Sequence, residues 1–78
     1  MKTTRYFEVT RARPDRSGIK DDWIASVVEY PEQEQIQEDG GIRRWRCIPE
    51  ADGKHLRVIL LPDGETVHNA FFDRGVRS

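Results

Sequence analysis

Cysteine occurs once in the 78 residues, as Cys47, so no internal disulfide can form. A small chain without such a staple fits a reducing compartment, and a cytoplasmic location is expected. Histidine is nearly as scarce, and His55 and His68 lack the spacing of zinc ligands, so neither a metal nor a cofactor is expected. Long hydrophobic runs are missing too: Val58-Ile59-Leu60-Leu61 falls far short of the roughly 20 apolar residues that span a bilayer. Residues Met1 to Glu8 hold no apolar stretch of the kind that opens a secretory signal. An excess of one charge sign is also lacking, since 13 Lys and Arg face 14 Asp and Glu. No overall basic field therefore attracts nucleic acid. Hydrophobic residues make up only 36% and mean hydropathy is −0.78, so the core must be thin. A chain this short forms one small domain, residues 1–78.

What is present is charge placed unevenly. Residues 1–20 carry six basic and two acidic groups (+4), 21–39 none and seven (−7), and 40–78 seven and five (+2). If these segments separate in space, the molecule is strongly dipolar.

Tyr6 to Thr10 is aromatic and β-branched and is predicted as a first strand. A basic connector, Arg11 to Gly18, follows, in which Pro14 and Gly18 prevent a long helix. Trp23, Ile24, Val27 and Val28 then repeat on one helical face, predicting a main helix over about 20–30 that Pro31 ends. Glu32 to Glu38 is polar, with Ile36 its only large apolar residue, so if it forms a strand it is a solvated edge strand. Asp39-Gly40 suits a two-residue hairpin turn into a strand at Ile42 to Ile48. Lys54 to Leu61 and Thr66 to Phe72 complete the set, joined by Pro62-Asp63-Gly64. The expected fold is α+β: an N-terminal strand and one main helix packed on an antiparallel meander of three to four strands. Its core would hold Trp23, Ile24, Val27, Val28, Ile42, Ile48, Leu56, Val58, Leu60 and Phe72, with Trp45 undecided.

Two groups of residues can carry chemistry. In Arg43-Arg44-Trp45-Arg46, strand alternation puts Arg44 and Arg46 on one face and Arg43 and Trp45 on the other. Such a row suits phosphate oxygens, with the indole stacking on a base. The alternative is that Trp45 packs inside and the arginines pair with the acidic 32–39 segment; a two-residue turn sets Ile36 against Arg43 and Glu34 against Trp45. The second group is Arg57, His68, Asn69, Asp73 and Arg74, where a histidine can move protons and an arginine can hold developing charge. A packed, hydrogen-bonded His68 is the plain alternative. The last hairpin has two candidate registers, placing Arg57 opposite Asn69 or His68 opposite Ile59. Arg11, Arg13 and Arg16 can line the same groove or stay solvated, and Cys47 reads as a small packed residue rather than a nucleophile.

The order Tyr6 to Thr10, Arg11-Ala12-Arg13, Gly18-Ile19-Lys20-Asp21-Asp22-Trp23-Ile24 and Val27-Val28-Glu29-Tyr30-Pro31, followed by strands, resembles small domains of the RelE-like toxin superfamily. Among these it is most similar to BrnT-like toxins and a related bacterial domain of unknown function. The resemblance implies a ribonuclease toxin of a toxin–antitoxin pair, cleaving RNA by 2′-hydroxyl attack on the adjacent phosphate. Carried onto this chain, it implies His68 and Arg57 as catalytic residues and Arg11, Arg13, Arg44, Arg46 and Arg74 as phosphate-binding ones. The implied partners are an antitoxin and RNA or the ribosome, with no membrane and with a homodimer open to it. Related domains often carry a histidine-alanine pair where this chain has Arg11-Ala12. The alternative role is a non-catalytic protein-interaction module of the same fold.

Overall fold

The computed structural model describes residues 1–76; the last two positions of the polar tail expected at the C-terminus, 77 and 78, lie outside them. Two helices, α1 (Arg5–Thr10) and α2 (Asp21–Glu29), precede four strands, β1 (Gln33–Ile36), β2 (Ile42–Ile48), β3 (Lys54–Leu60) and β4 (Val67–Phe72). The strands form one antiparallel sheet in the order β1-β2-β3-β4, which is the expected α+β meander.

The expected N-terminal strand is a correction, because Tyr6 to Thr10 lies in α1. Thr4 decides the matter locally: it is extended, and its hydroxyl accepts from the Phe7 N–H (3.1 Å), capping the helix. Phe7 and Thr10, one turn apart, are the buried pair, so a helical period overrides the β-propensity of the aromatic and branched residues. Strand character is confined to Thr3, which bridges Val67 in parallel. Consequently there are two helices rather than one main helix.

In α2, Asp21 and Asp22 occupy the first turn, where the helix dipole favours negative charge. Ile24 and Val27 are buried against Ile48, Leu56, Val58 and Leu60. Phe7, Ile19, Val67 and Ala70 complete that cluster, while Trp23, Val28, Ile42 and Phe72 pack partly buried around it. Both helices thus cover the sheet face that carries Leu56, Val58 and Leu60. No described helix is long and apolar enough to cross a membrane.

Both hairpin registers differ from expectation. The β1–β2 loop is Glu38-Asp39-Gly40 rather than a two-residue turn: Gly40 N donates to Gln37 O (2.9 Å) and Gln37 N to Gly41 O (2.7 Å). Gly40 takes φ +88°, which a side chain rarely adopts. The extra loop residue sets Glu34 opposite Arg44 and Ile36 opposite Ile42. In the last hairpin, Leu60 pairs with Val67, but Ile59 pairs with Asn69 and Arg57 with Phe71. His68 is therefore the extra residue of a β-bulge, and neither candidate register holds along the whole hairpin. The bulge lets Val67 and Ala70, three positions apart, both face the core.

Candidate functional site

The sheet face opposite the helices is built by alternation. Gln33, Gln35, Arg43, Trp45, Cys47, His55, Arg57, Ile59, Asn69 and Phe71 belong to it, and no described helix covers it. Trp45, Arg57 and Phe71 form one row across β2, β3 and β4, each directly opposite the next.

That pairing produces a stack. The Arg57 guanidinium lies 5.2 Å from the Trp45 ring and 5.3 Å from the Phe71 ring, within cation–π range of both. On β4, Phe71 also lies 5.4 Å from the Arg16 guanidinium, which reaches in from the connector before α2. Arg16 Nη1 donates to Asn69 Oδ1 (2.7 Å), fixing it to β4. The Nε–H groups of Arg16 and Arg57 are shielded from solvent and make no hydrogen bond among the described residues, the Asp15 carboxylate standing 4.0 Å from Arg16 Nε.

Asp73 closes the row. Its Oδ2 accepts from Trp45 Nε1 (3.0 Å) and Arg57 Nη1 (3.4 Å), and its Oδ1 from Gly75 N (2.8 Å). The Trp45 N–H, then the Gly75 N–H, hold its pKa below the ordinary carboxylate value, helped by the charge of Arg57 and opposed by desolvation. Trp45 is only 9% exposed although it lies outside the helix-covered core, because this network encloses it.

His68, the bulge residue, stacks on Tyr6 with ring centroids 4.8 Å apart, and its Nδ1 shares a hydrogen bond with Thr4 Oγ1 (3.0 Å). The hydroxyl that caps α1 therefore also orients the imidazole. Nε2 is left to other chemistry: it carries the proton if Thr4 donates to Nδ1, and a lone pair if Nδ1 donates instead. His68 and Arg57 share no contact, but His68, Asn69 and Phe71 follow along one strand edge, with Arg16 and Arg57 beside them.

The other arginines separate from this band. Arg44 and Arg46 point to the helix side, where Arg44 Nη1 donates to Val28 O (2.8 Å) and Arg46 Nη1 to Tyr30 O (2.7 Å). They satisfy carbonyls at the end of α2, and Arg44 also pairs with Glu34 (2.7 Å). Arg11 pairs with Asp21 and lies 4.9 Å from the Phe7 ring. Arg13 and Arg74 are exposed. Cys47, directly opposite His55 on the sheet face without a helix, donates its thiol to Gly53 O (3.3 Å). No group of three His, Cys, Asp or Glu among the described residues is placed to hold a metal ion.

Sequence reasoning singled out Arg57, His68, Asn69, Asp73 and Arg74 as a group, named Arg43 in the arginine row and Arg16 in the connector apart from it, and did not select Phe71. Arg43 is held by Gln35 Oε1 (3.3 Å) and, with the Gln37 amide oxygen turned toward it, by Gln37 (2.8 and 2.7 Å). The available signal was the alternation that puts Trp45 and Arg43 on one face; extending it to Arg57 and Phe71 required the register. No family model, curated protein or solved structure matches the chain, which leaves geometry to carry the functional reading.

Proposed function

We propose that the chain acts on RNA at the open sheet face, as a RelE-like ribonuclease toxin neutralised by an antitoxin. The observation that supports this reading is the row of Arg57, Phe71 and Asn69 on the sheet face without a helix, with Arg16 bonded to Asn69 at its margin and His68, held by Thr4 and Tyr6, next to Asn69 in the β4 bulge. In the proposed reaction, His68 Nε2 takes the proton of a 2′-hydroxyl, and the freed oxygen bonds to the adjacent phosphorus. The bond from phosphorus to the 5′-oxygen breaks, and that oxygen takes a proton from water, leaving a cyclic phosphate. Arg16 and Arg57 would hold the charge that grows on the phosphate oxygens. Thr4 would keep the imidazole in place, as the partner of a catalytic histidine does. Arg44, Arg46 and Arg11, bound within the protein, have no part in this reaction; Arg13 and Arg74 remain free to meet the backbone of the strand.

A second reading, a non-catalytic protein-interaction module, is favoured by the edge strand β1. Its residues are all exposed, Ile36 to 59%, and only β2 pairs with it. Exposed acidic side chains at Glu29, Glu32, Glu34 and Glu38 would suit a basic partner.

Induced expression beside assays of the purified chain on RNA distinguishes the two. Wild type is expected to arrest growth and cleave RNA. His68→Ala and Arg16→Ala are expected to lower cleavage about 10²–10⁴-fold while retaining the circular-dichroism spectrum. Unimpaired growth with intact RNA under strong wild-type expression would overturn the toxin reading in favour of the interaction module. Persistent cleavage in both variants would overturn the residue assignment.

A further inference from the structure

At the end of the sheet where β3 begins and β4 stops lies a concavity of about 550 Å³, within the range of small-molecule sites. It is walled by Asp52, Lys54, His55, Phe72, Asp73 and Arg74, with Gly53 and Val76 completing it. The backbone makes the walls firm: the left-handed pair Asp52 (φ 59°) and Gly53 (φ 72°) turns the chain into β3. Across it, Asp73 N donates to His55 O (2.9 Å), tying the end of β4 to β3.

The charges around this concavity are not equivalent. The Asp73 carboxylate is already engaged by Trp45, Gly75 and Arg57. Lys54 and Arg74, by contrast, form no ion pair among the described residues. Lys54 Nζ lies 5.8 Å from the Phe72 ring, so an ammonium and an aromatic surface sit side by side. Asp52 is the one carboxylate on the wall left to oppose an anion. Cationic donors next to a ring match a ligand that carries its negative charge next to a planar group.

We infer that this concavity binds a phosphate monoester attached to a nucleobase-bearing sugar, with Lys54 and Arg74 contacting the phosphate and Phe72 contacting the base. The ligand is a free nucleoside monophosphate or the phosphorylated end of a strand. The inference stands apart from the proposed cleavage, because it concerns binding without turnover away from His68 and Arg16; of its residues Arg74 alone is also offered to the RNA strand.

Titration of the full ¹⁵N-labelled chain with AMP, inorganic phosphate and adenosine tests it by NMR. AMP is expected to shift the amides of Gly53 to His55 and Phe72 to Arg74, and to bind more tightly than either fragment. Lys54→Ala and Arg74→Ala, both at exposed positions, are each expected to weaken AMP about tenfold, the worth of one charge-assisted hydrogen bond. Asp52→Asn is expected to tighten it. A trinucleotide bearing a 3′-phosphate identifies the strand end if it binds better than AMP, and a free nucleotide if it binds worse; either result supports the site. No shift at these amides through the millimolar range, or AMP affinity unchanged in both alanine variants, overturns it. Cleavage activity surviving without AMP binding would reject this site alone, whereas binding without cleavage would reject only the ribonuclease reading.

Discussion

Three aspartates carry two kinds of duty in this chain, separated by what each carboxylate accepts. Asp73 ties together the outer row of the sheet, whereas Asp39 braces the first hairpin loop by accepting from Gly41 N (2.8 Å). Asp63 braces the last one. It accepts from the Thr66 hydroxyl (2.6 Å), Thr66 N (2.9 Å) and Glu65 N (2.9 Å), and these bonds lower its pKa from 3.8 to about 2, the hydroxyl contributing most. A carboxylate depressed by folding adds stability above its unfolded pKa and loses it as pH falls through the folded one. Thermal unfolding followed by circular dichroism should therefore show a loss of stability between pH of about 4 and 2 that is smaller in Asp63→Asn. Equal slopes in the two proteins would remove Asp63 from the acid response.

Among the elements, α1 depends most on a single side chain. It has only six residues, too few to persist in water alone, so its cap and its buried Phe7 hold it. Thr4→Ala is expected to cost about 1 kcal/mol, measured by chemical denaturation, and to loosen the His68 ring as well. If the proposed role of His68 is correct, this variant should lose RNA cleavage by more than its loss of folded protein explains. Helix α2 and strands β2, β3 and β4 were legible in the sequence from their apolar patterns, Ile24 and Val27 in one case and Leu56, Val58 and Leu60 in another, whereas β1, polar and exposed throughout, was left open. Helix α1 was not legible, since Tyr6, Phe7 and Val9 favour a strand and only Thr4 argues otherwise. The candidate site was legible as a set of residue types rather than as a surface. A loop residue at Glu38 and a bulge at His68 each shift pairing by one position, and local propensity does not report either shift.

For the molecule as a whole, the uneven charge acquires a direction. Arg16, Arg43 and Arg57 lie on the open face or its margin with the carboxylates of Asp73 and Asp15, while Asp21, Asp22 and Glu34 belong to the helix side along with Arg44 and Arg46. Net charge near zero thus hides a local excess of arginine on one face of the sheet. The core beneath it is small. Leu56, fully buried between the helices and the sheet, is a sensitive probe: Leu56→Ala is expected to remove about 2–5 kcal/mol. A chain of this length has a total stability of roughly 4–12 kcal/mol, so equilibrium denaturation should find the variant marginal or unfolded. A loss below about 1 kcal/mol would mean that the core readily collapses around the gap.

The seat of α1 also sets a timetable for synthesis. Thr4 and His68 are separated by 64 positions in the chain, yet the early residue needs the late one beside it. At ordinary translation speeds, roughly 3–13 s pass between the making of the two. During that interval Phe7 and Tyr6 have no β4 to rest on, and a nascent chain offers them to solvent or to a chaperone. Completion of the fold therefore waits on the emergence of the last strand from the ribosome.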